Sequence, residues 1–379
     1  MPIVKVNKKL YKEHYPSGAA AVVWVSHAGP GLQRMEFHAA EARIDTMSQT
    51  TVRFSSDNGR TWSACQPVSE GLRLLKEVEV FEYSSCQKLY DPASGALVDM
   101  YLRLLNEYHL DKLKEQPGGF PHWFRRFREQ VDNRAPYPFT YYRVSRDGGR
   151  TWGKPGLLCY EQKGADFDAD NPLNPGFIRP NQSYFGANII RHSNGSVIFP
   201  VVHTHVAGDP VYEWRPYCRG ARCFIGRWDA AAHDYHWQAG RPTTVAPDIF
   251  SGLELDEPTV AELKDGRLLI AFRAANHAPG RPPRKYFCVS HDAGHTLGEV
   301  QELKYDDGSA FYSPESIHQL IRHSVTGKLY WIGNIIPEVP PPGDRRRYPL
   351  VIAEVDEAAP ALKRHTVTVI DDRKPDQSP

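Results

Sequence analysis

The sequence has no surplus of charge of either sign. Its 46 Lys and Arg residues are nearly balanced by 45 Asp and Glu residues, which gives a formal net charge of +1. Proteins that bind nucleic acid or an anionic membrane surface usually carry a clear excess of basic residues. The balance therefore predicts no nucleic-acid partner and no membrane partner.

Metal-ligand spacing is also missing. The six cysteines include no Cys-x-x-Cys pair, and no histidine stands at the spacing of a zinc site. We expect no metal and no cofactor. Cys218 and Cys223 lie close enough along the chain for a local disulfide, although buried free thiols are the favoured interpretation.

Long apolar runs are absent. No window approaches the 18 uninterrupted apolar residues that indicate a membrane-spanning helix. The first five residues, Met-Pro-Ile-Val-Lys, do not begin the apolar core of a secretory signal. The sequence as given predicts a cytoplasmic protein, and it does not indicate an oligomeric state.

What is present is the composition of a globular protein rich in turns and aromatic rings. The chain has 379 residues, of which 41% are hydrophobic and 24% charged, which fits a large core. Its 31 Pro and 29 Gly fit many turns, and its 19 Tyr and 8 Trp could serve as platforms for sugars. Closed β-architectures often reach this length as one unit, so residues 1–379 are predicted to form a single domain.

An eight-residue motif recurs along the chain. Residues 55–62 read Ser-Ser-Asp-Asn-Gly-Arg-Thr-Trp, residues 145–152 read Ser-Arg-Asp-Gly-Gly-Arg-Thr-Trp, and residues 290–297 hold an eroded copy, Ser-His-Asp-Ala-Gly-His-Thr-Leu. The aspartate suits a turn in which it accepts bonds from the following amides, and the glycine supplies a backbone angle that strains other residues. A repeated strand–turn unit is typical of a radially repeated all-β fold. One aspartate per repeat indicates a structural role.

The apolar and alternating runs around these copies predict an all-β, six-bladed β-propeller of four-stranded antiparallel blades. The sixth blade would be shared between residues 1–13 and a tail strand at 364–370. Apolar positions at helix-like spacing predict a helical insertion near residues 101–135. That insertion is interpreted either as a decorated loop or as a lid or dimer contact.

The chain resembles the sialidase superfamily of Asp-box, or BNR-repeat, propellers. The resemblance rests on the repeat and on three further segments. In sialidases a segment ahead of the first repeat holds the acid/base aspartate, and Asp45 matches that position in Ala-Glu-Ala-Arg-Ile-Asp at 40–45. Arg43 in the same segment is a candidate substrate-binding residue. A partly dry sugar pocket would raise the pKa of a proton-donating carboxyl.

The other two segments supply a glutamate and two arginines. Glu257 and Arg273 follow the family pattern of a glutamate, an Asp-Gly turn and an arginine. The resemblance implies that the glutamate activates a nucleophilic tyrosine and that the arginine holds the substrate carboxylate. Arg347 matches a second carboxylate-binding arginine, with Arg345 and Arg346 as alternatives. Arginine suits this task because its planar fork meets a carboxylate with two parallel hydrogen bonds.

The chain departs from the family at two points. The opening Arg-Ile-Pro is absent, and residues 14–16 read His-Tyr-Pro. Tyr348 is the sole tyrosine after Arg347, and it does not match the position of the nucleophile. Tyr312, at the start of an inner strand, is therefore a candidate for a central tyrosine, as nucleophile or general acid.

Four polar residues complete the candidates. His203 and His205 point to the same side of a strand, where they could transfer protons or be ordinary hydrogen-bonded histidines. Asn181 and Gln182 end a long polar loop and would suit sugar hydroxyls or hold the loop itself.

Three functions are compatible with these residues, each with a glycan as partner. The first is an exo-glycosidase that hydrolyses a terminal acidic sugar, of sialic acid or uronate type, with Asp45 as acid. The second is a polysaccharide lyase acting on a uronate-linked glycan through His203, His205 and Tyr312. The third is a non-catalytic glycan-binding propeller, because fold does not decide function.

Overall fold

The strands described below come from a computed structural model. It describes residues 5–9, 20–43, 46–68, 71–75, 78–84, 86–106, 137–160, 181, 183–184, 186–203, 220–244, 253–276, 281–341 and 346–373. These residues contain β-strands, one turn of 3-10 helix and no α-helix. No helix within them is long and apolar enough to cross a membrane.

The first two sheets occupy the N-terminal part of the chain. The first pairs four strands in sequence order: β1 Ala20–His27, β2 Arg34–Arg43, β3 Thr46–Ser55 and β4 Gln66–Pro67. The second has the order β5-β6-β8-β9-β10, with β7 also paired to β8. Its strands are β5 Gly71–Leu75, β6 Val78–Ser84, β7 Leu89–Asp91, β8 Ala96–Asn106, β9 Tyr137–Ser145 and β10 Gly156–Leu157.

Three more sheets follow. The third has the order β11-β13-β14-β15, with β12 on β13 and β16 on β14: β11 Ser183–Tyr184, β12 Ile190–Arg191, β13 Val197–His203, β14 Gly220–Asp229, β15 Asp234–Ala239 and β16 Thr243–Thr244. The fourth is β17 Leu253–Glu262, β18 Leu268–Asn276, β19 Tyr286–Ser290 and β20 Gln301–Glu302. The fifth is β21 Gln319–Arg322, β22 Leu329–Asn334, β23 Leu350–Asp356 and β24 Ala361–Leu362, with β25 Thr368–Asp371 on β23.

Consecutive sheets pack against each other through apolar clusters. In β18, Leu268, Ile270 and Phe272 face the third sheet, whereas Leu269 and Ala271 face the fifth. Similar clusters join the first sheet to the second and the second to the third. Because alternate residues of one strand serve two interfaces, a central strand is apolar on both faces. This side-by-side packing of twisted sheets is that of an all-β propeller.

The antiparallel pairing gives the stacked sheets two distinct ends. At one end lie the connections β2–β3, β8–β9, β13–β14, β18–β19 and β22–β23, which join residues 43 to 46, 106 to 137, 203 to 220, 276 to 286 and 334 to 350. Bonds between sheets keep these regions together, since Ser183 Oγ lies 2.9 Å from Thr140 Oγ1 and Arg273 Nη2 lies 2.7 Å from Glu315 Oε1. We call this the loop end and the opposite one the turn end.

The repeated motif lies at the turn end. Its serines, Ser55, Ser145 and Ser290, are the last residues of β3, β9 and β19. In every copy the serine hydroxyl donates to the aspartate at 2.8 Å, and the threonine hydroxyl donates to the other aspartate oxygen at 2.6 Å. The glycine adopts a φ between 79 and 91°, which only glycine reaches without strain. The expected turn chemistry is present in all three copies.

The prediction of helix at residues 101–106 is wrong. These residues belong to β8, which pairs with β6 on one side and β9 on the other. Tyr101, Leu102 and Arg103 are all buried, so both faces of the strand are covered and no period of two is visible. Residues 107–135 of the predicted insertion lie outside the described residues.

The prediction of a sixth blade is not confirmed. Five sheets form in the described part of the chain. Residues 364–366 form a 3-10 turn, and β25 then pairs with β23 inside the fifth sheet instead of with an N-terminal strand. The N-terminal segment reaches it through a side chain, since Lys8 Nζ lies 2.6 Å from Asp371 Oδ1.

The structure describes five of the six cysteines. Cys86, Cys223 and Cys288 are buried and form no disulfide with a described residue, whereas Cys159 is half-buried and Cys65 is exposed. Cys218 lies outside the described residues. Cys223 is therefore part of the apolar packing between the third and fourth sheets.

We predict that Asp147→Ala lowers the free energy of unfolding by about 1–3 kcal/mol, because the turn loses several bonds to one carboxylate. Burial alone would raise the pKa of Asp147, but bonds from Thr151 and Ser145 lower it to about 2. The contribution of Asp147 to the free energy of unfolding is complete at pH values above its ordinary pKa of 3.8. It is lost as the pH falls through its pKa in the folded protein, about 2. Urea unfolding at pH 7 and at low pH measures this, with Thr151→Val as a milder comparison. Equal stability of Asp147→Ala and wild type at pH 7 would contradict it.

Candidate functional site at the loop end

Glu257 stands at an irregularity in the fourth sheet. The pairing of β17 with β18 shifts register between Asp256 and Thr259. Glu257 lies inside this bulge with a φ of 37° and is 4% exposed. Its amide donates to Asp256 Oδ1 at 2.9 Å. Bulges re-aim side chains, and a non-glycine residue at positive φ is strained, so the surrounding structure must hold it there.

Arg273 on β18 binds this glutamate and joins it to the fifth sheet. Its Nη1 donates to Glu257 Oε2 at 2.6 Å, and its Nη2 donates to Glu315 Oε1 at 2.7 Å. Asp256 Oδ2 lies 3.8 Å from the same Nη1. Its buried Nε has no hydrogen-bond partner in the part of the chain that the structure describes. The structure thus brings Glu257 and Arg273 together, as their spacing predicted, and adds two carboxylates.

The electrostatics of the pair follow from burial. Burial raises the pKa of Glu257, while the positive charges of Arg273, Lys285 and Arg347 act to lower it. Burial opposes the charge of Arg273, yet Glu257, Asp256 and Glu315 together raise its pKa. The guanidinium is therefore permanently charged, and Glu257 is the member whose protonation can change.

Lys285 lies within electrostatic reach of this pair, and His318 lies within reach of Lys285. Lys285 is fully buried, and its Nζ donates to the carbonyl oxygens of Pro314 and Ser316 at 2.8 and 2.6 Å. Burial, and then the charge of Lys285, hold the pKa of His318 well below its ordinary value. Neither imidazole nitrogen of His318 makes a well-aligned hydrogen bond to a described residue, so this histidine is neutral.

Arg347 reaches the same region from the fifth sheet. Its backbone oxygen accepts a bond of 2.6 Å from the Asn334 side chain, which also donates to Pro349 O at 3.1 Å. Its side chain is exposed, and its charge acts on both Glu257 and Lys285. No ion-pair partner of Arg347 is found among the described residues. The neighbouring Arg346 lies 3.5 Å from Glu338.

Tyr312 lies at this end without a described contact to Glu257. Its ring lies under the guanidinium of Arg284, 4.5 Å from the ring centre, and its backbone pairs with Ile336. Arg284 in turn donates to Phe311 O at 2.6 Å. These contacts place Tyr312 between Arg284, just before β19, and Ile336, just after β22. The role of Tyr312 as a nucleophile stays a prediction.

The remaining candidates are only partly described. Asn181 is buried and accepts a bond of 3.0 Å from the Tyr160 amide, which favours its loop-holding role. The backbone of His203 pairs with Ser183 at the loop end. Residues Asp45, Gln182 and His205 and the side chains of Arg43 and His203 lie outside what the structure describes. The lyase interpretation therefore stays a prediction.

Sequence reasoning missed Asp256, Lys285, Glu315 and His318. Asp256 adjoins Glu257 directly, so its position in the sequence could have identified it as a member of the site. Lys285 and Glu315 come near the pair through the packing of the fourth sheet on the fifth, and no sequence motif identifies them. Among the described residues no three His, Cys, Asp or Glu side chains form a group that could hold a metal ion.

No protein-family profile matches the sequence, and no curated protein does. Solved structures do match the fold. A protein of unknown function from Dyadobacter fermentans is 15% identical with a TM-score of 0.57, covering 94% of this chain and 83% of that one. The Hadza microbial sialidase Hz136 is 13% identical with a TM-score of 0.54, covering 93% of this chain and 59% of that one. A mutant of the NanB sialidase from Streptococcus pneumoniae is 12% identical with a TM-score of 0.55, covering 94% and 63%.

The fold is that of a sialidase-like β-propeller. Identities of 12–15% support this likeness of fold alone. The chain spans about three fifths of the length of the two sialidases, at 59% and 63%.

We predict that Arg273→Ala lowers the free energy of unfolding at pH 7 by about 3–5 kcal/mol, because it leaves Glu257 buried without its partner. Without the guanidinium the pKa of Glu257 rises further, so Glu257 binds a proton more readily in the folded than in the unfolded state. The loss should therefore shrink as the pH falls toward 5. Chemical unfolding at both pH values tests this.

The double variant Glu257→Gln/Arg273→Ala is the matched control. A neutral amide in place of the carboxylate removes the buried charge, so we expect the double variant to recover more than half of the loss. If Arg273→Ala unfolds like wild type at pH 7, or if the double variant is no more stable than the single one, the pair is not the stabilising contact described above.

Proposed function

We propose that this protein is a glycoside hydrolase that removes a terminal acidic sugar, of sialic acid or uronate type, from a glycan. The observation that carries the proposal is the buried Glu257–Arg273 pair at the loop end, with the guanidinium of Arg347 close enough to act on Glu257. A buried carboxyl and an exposed arginine, for which the described residues offer no ion-pair partner, supply the two things such a reaction needs. These are a group that exchanges protons and a cation that holds a carboxylate.

Glu257 is the proton-transfer group in this proposal. A carboxyl that acts as acid or base near neutral pH needs a pKa above that of an exposed glutamate. Burial raises the pKa of Glu257 in that direction, and the surrounding cations limit the rise. We assign it the activation of the attacking water or of a nucleophilic tyrosine.

Arg347 is the principal group for the substrate carboxylate. Both Nη atoms of Arg273 already donate to carboxylates, those of Glu257 and Glu315. Arg347 is exposed and has no ion-pair partner among the described residues, so its planar fork can meet a ligand carboxylate with two bonds. Arg273 then contributes by its positive charge beside Glu257, which lowers the pKa of that carboxyl.

Protonation of the leaving group is assigned to Asp45. Strand β2 ends at Arg43 and β3 begins at Thr46, so the connection that carries Asp45 joins two strand ends at the loop end. A second carboxyl on a different sheet would divide acid and base work between two groups, as glycoside hydrolysis requires.

We predict that Arg347→Ala lowers kcat/KM on a sialoside or glucuronide about 10–100-fold, mainly through KM, because a charged hydrogen-bonding group is lost from binding. Activity on a matched neutral glycoside, where measurable, should change little. Steady-state kinetics on acidic and neutral aryl glycosides tests this.

Arg346→Ala is the matched control, because Arg346 is one residue away and near Glu338. It should leave kcat/KM within about 2-fold of wild type, because its guanidinium lies beside the Glu338 carboxylate and substitutions at such surface pairs have small effects. An equal loss on acidic and neutral substrates, or a larger loss in Arg346→Ala, would overturn the assignment of Arg347.

A further inference from the structure

Lys285 is a buried lysine whose bonds go to the backbone on both sides of Glu315. It immediately precedes β19 and is 0% exposed. Its Nζ donates to Pro314 O at 2.8 Å and to Ser316 O at 2.6 Å. The residue between these carbonyls, Glu315, places its carboxylate 2.7 Å from Arg273 Nη2.

This placement is costly. Removing an ammonium group from water is unfavourable unless it is paired, and two carbonyls satisfy two of its three N–H bonds. An apolar side chain of similar length would fill the same space without that cost. Among the described residues, the hydrogen bonds of Lys285 Nζ go to the 314–316 segment, so the position of that segment is what the lysine secures.

We propose that Lys285 is a positioning residue of the site: its buried Nζ ties down residues 314–316 and thereby holds the Glu315 carboxylate on the guanidinium of Arg273. This inference rests on the proposed function for its kinetic part only.

Charged groups on each neighbouring element act on Lys285. Arg273 on β18 and Arg347 before β23 repel its proton, whereas Glu257 on β17 and Glu315 attract it. Burial is the largest effect, and the pKa of Lys285 is lowered from 10.5 to about 7. The neutral His318 also lies within its field. In its charged form Lys285 lowers the pKa of Glu257, so it bears on the charge of the site as well as on its geometry.

A double-mutant cycle with Glu315 tests the proposal. We expect Lys285→Met to lower kcat/KM on the acidic glycoside about 100-fold, as a displaced catalytic arrangement does. In a Glu315→Gln background the same change should cost only about 2-fold, because the carboxylate that Lys285 positions is already gone. The acid limb of the kcat/KM profile should also move to higher pH in Lys285→Met, since Glu257 loses a nearby cation.

Lys88 provides the control for loss of a buried lysine. It is 4% exposed, and its Nζ lies 3.5 Å from Asp99 Oδ1 and 4.1 Å from the ring centre of Phe37, between the first and second sheets. Lys88→Met should have the same effect on kcat/KM with and without Glu315→Gln, and it should leave the pH profile in place.

The outcomes separate this inference from the proposed function. Additive effects of Lys285→Met and Glu315→Gln, with an unmoved pH profile, would overturn the positioning role. If wild type hydrolyses no acidic glycoside, the proposed function fails. The crystal structure of Lys285→Met then decides on Lys285, since we expect the Glu315–Arg273 contact to be lost, and an intact contact would refute the inference.

Two further measurements serve if Lys285→Met does not fold. Lys285→Gln keeps N–H donors without the charge, and it can replace Lys285→Met in the double-mutant cycle with Glu315→Gln. Stability of the wild type should rise between about pH 7 and pH 10.5, because the unfolded state binds one more proton there. Lys285→Gln should lack this rise, and a parallel dependence in both proteins would mean that Lys285 is not the buried group described.

Discussion

The ion pair between Glu257 and Arg273 joins the first two strands of the fourth sheet where their register shifts. A buried carboxylate is tolerated only when it is paired, so the guanidinium fixes the strained backbone of Glu257 as well as its charge. The second Nη atom of Arg273 extends the contact to Glu315, in the segment that leads into the fifth sheet. One arginine therefore couples the bulge, the charge of the site and the packing of two sheets at the loop end.

The two ends of the sheets have different tasks. At the turn end the three aspartates are bound within their own turns, each satisfied by a serine and a threonine. At the loop end the side chains of Arg273 and Lys285 cross between elements, and Arg347 is exposed. Stability thus comes from the local hydrogen bonds at the turn end and from the apolar packing between the sheets. The loop end carries the long connections, and loops can bring functional side chains close to one another.

The sequence was informative where the information is local. The motif predicted its turns because the Ser and Thr hydroxyls of each copy donate to the Asp of the same copy. Glu257 with Arg273 was predicted because a single hairpin joins them. The sequence predicts helix for residues 101–106 because a strand that is covered on both faces loses the alternation of apolar and polar residues. The bond that links Glu315 to Arg273, and the two that link Lys285 to the 314–316 segment, arise from sheet packing. No spacing along the chain encodes such contacts.

The central claim is that Glu257 transfers protons during hydrolysis of an acidic glycoside. The most direct test is the rate at which wild type and Glu257→Gln release the free acidic sugar from a sialoside and a glucuronide, with the product followed by absorbance and mass. The account predicts release of a hydrated, saturated sugar by wild type and a loss of about 10²–10⁴-fold in Glu257→Gln. Equal rates in the two proteins, or a product with the ultraviolet absorbance and the mass of an unsaturated sugar, would contradict it.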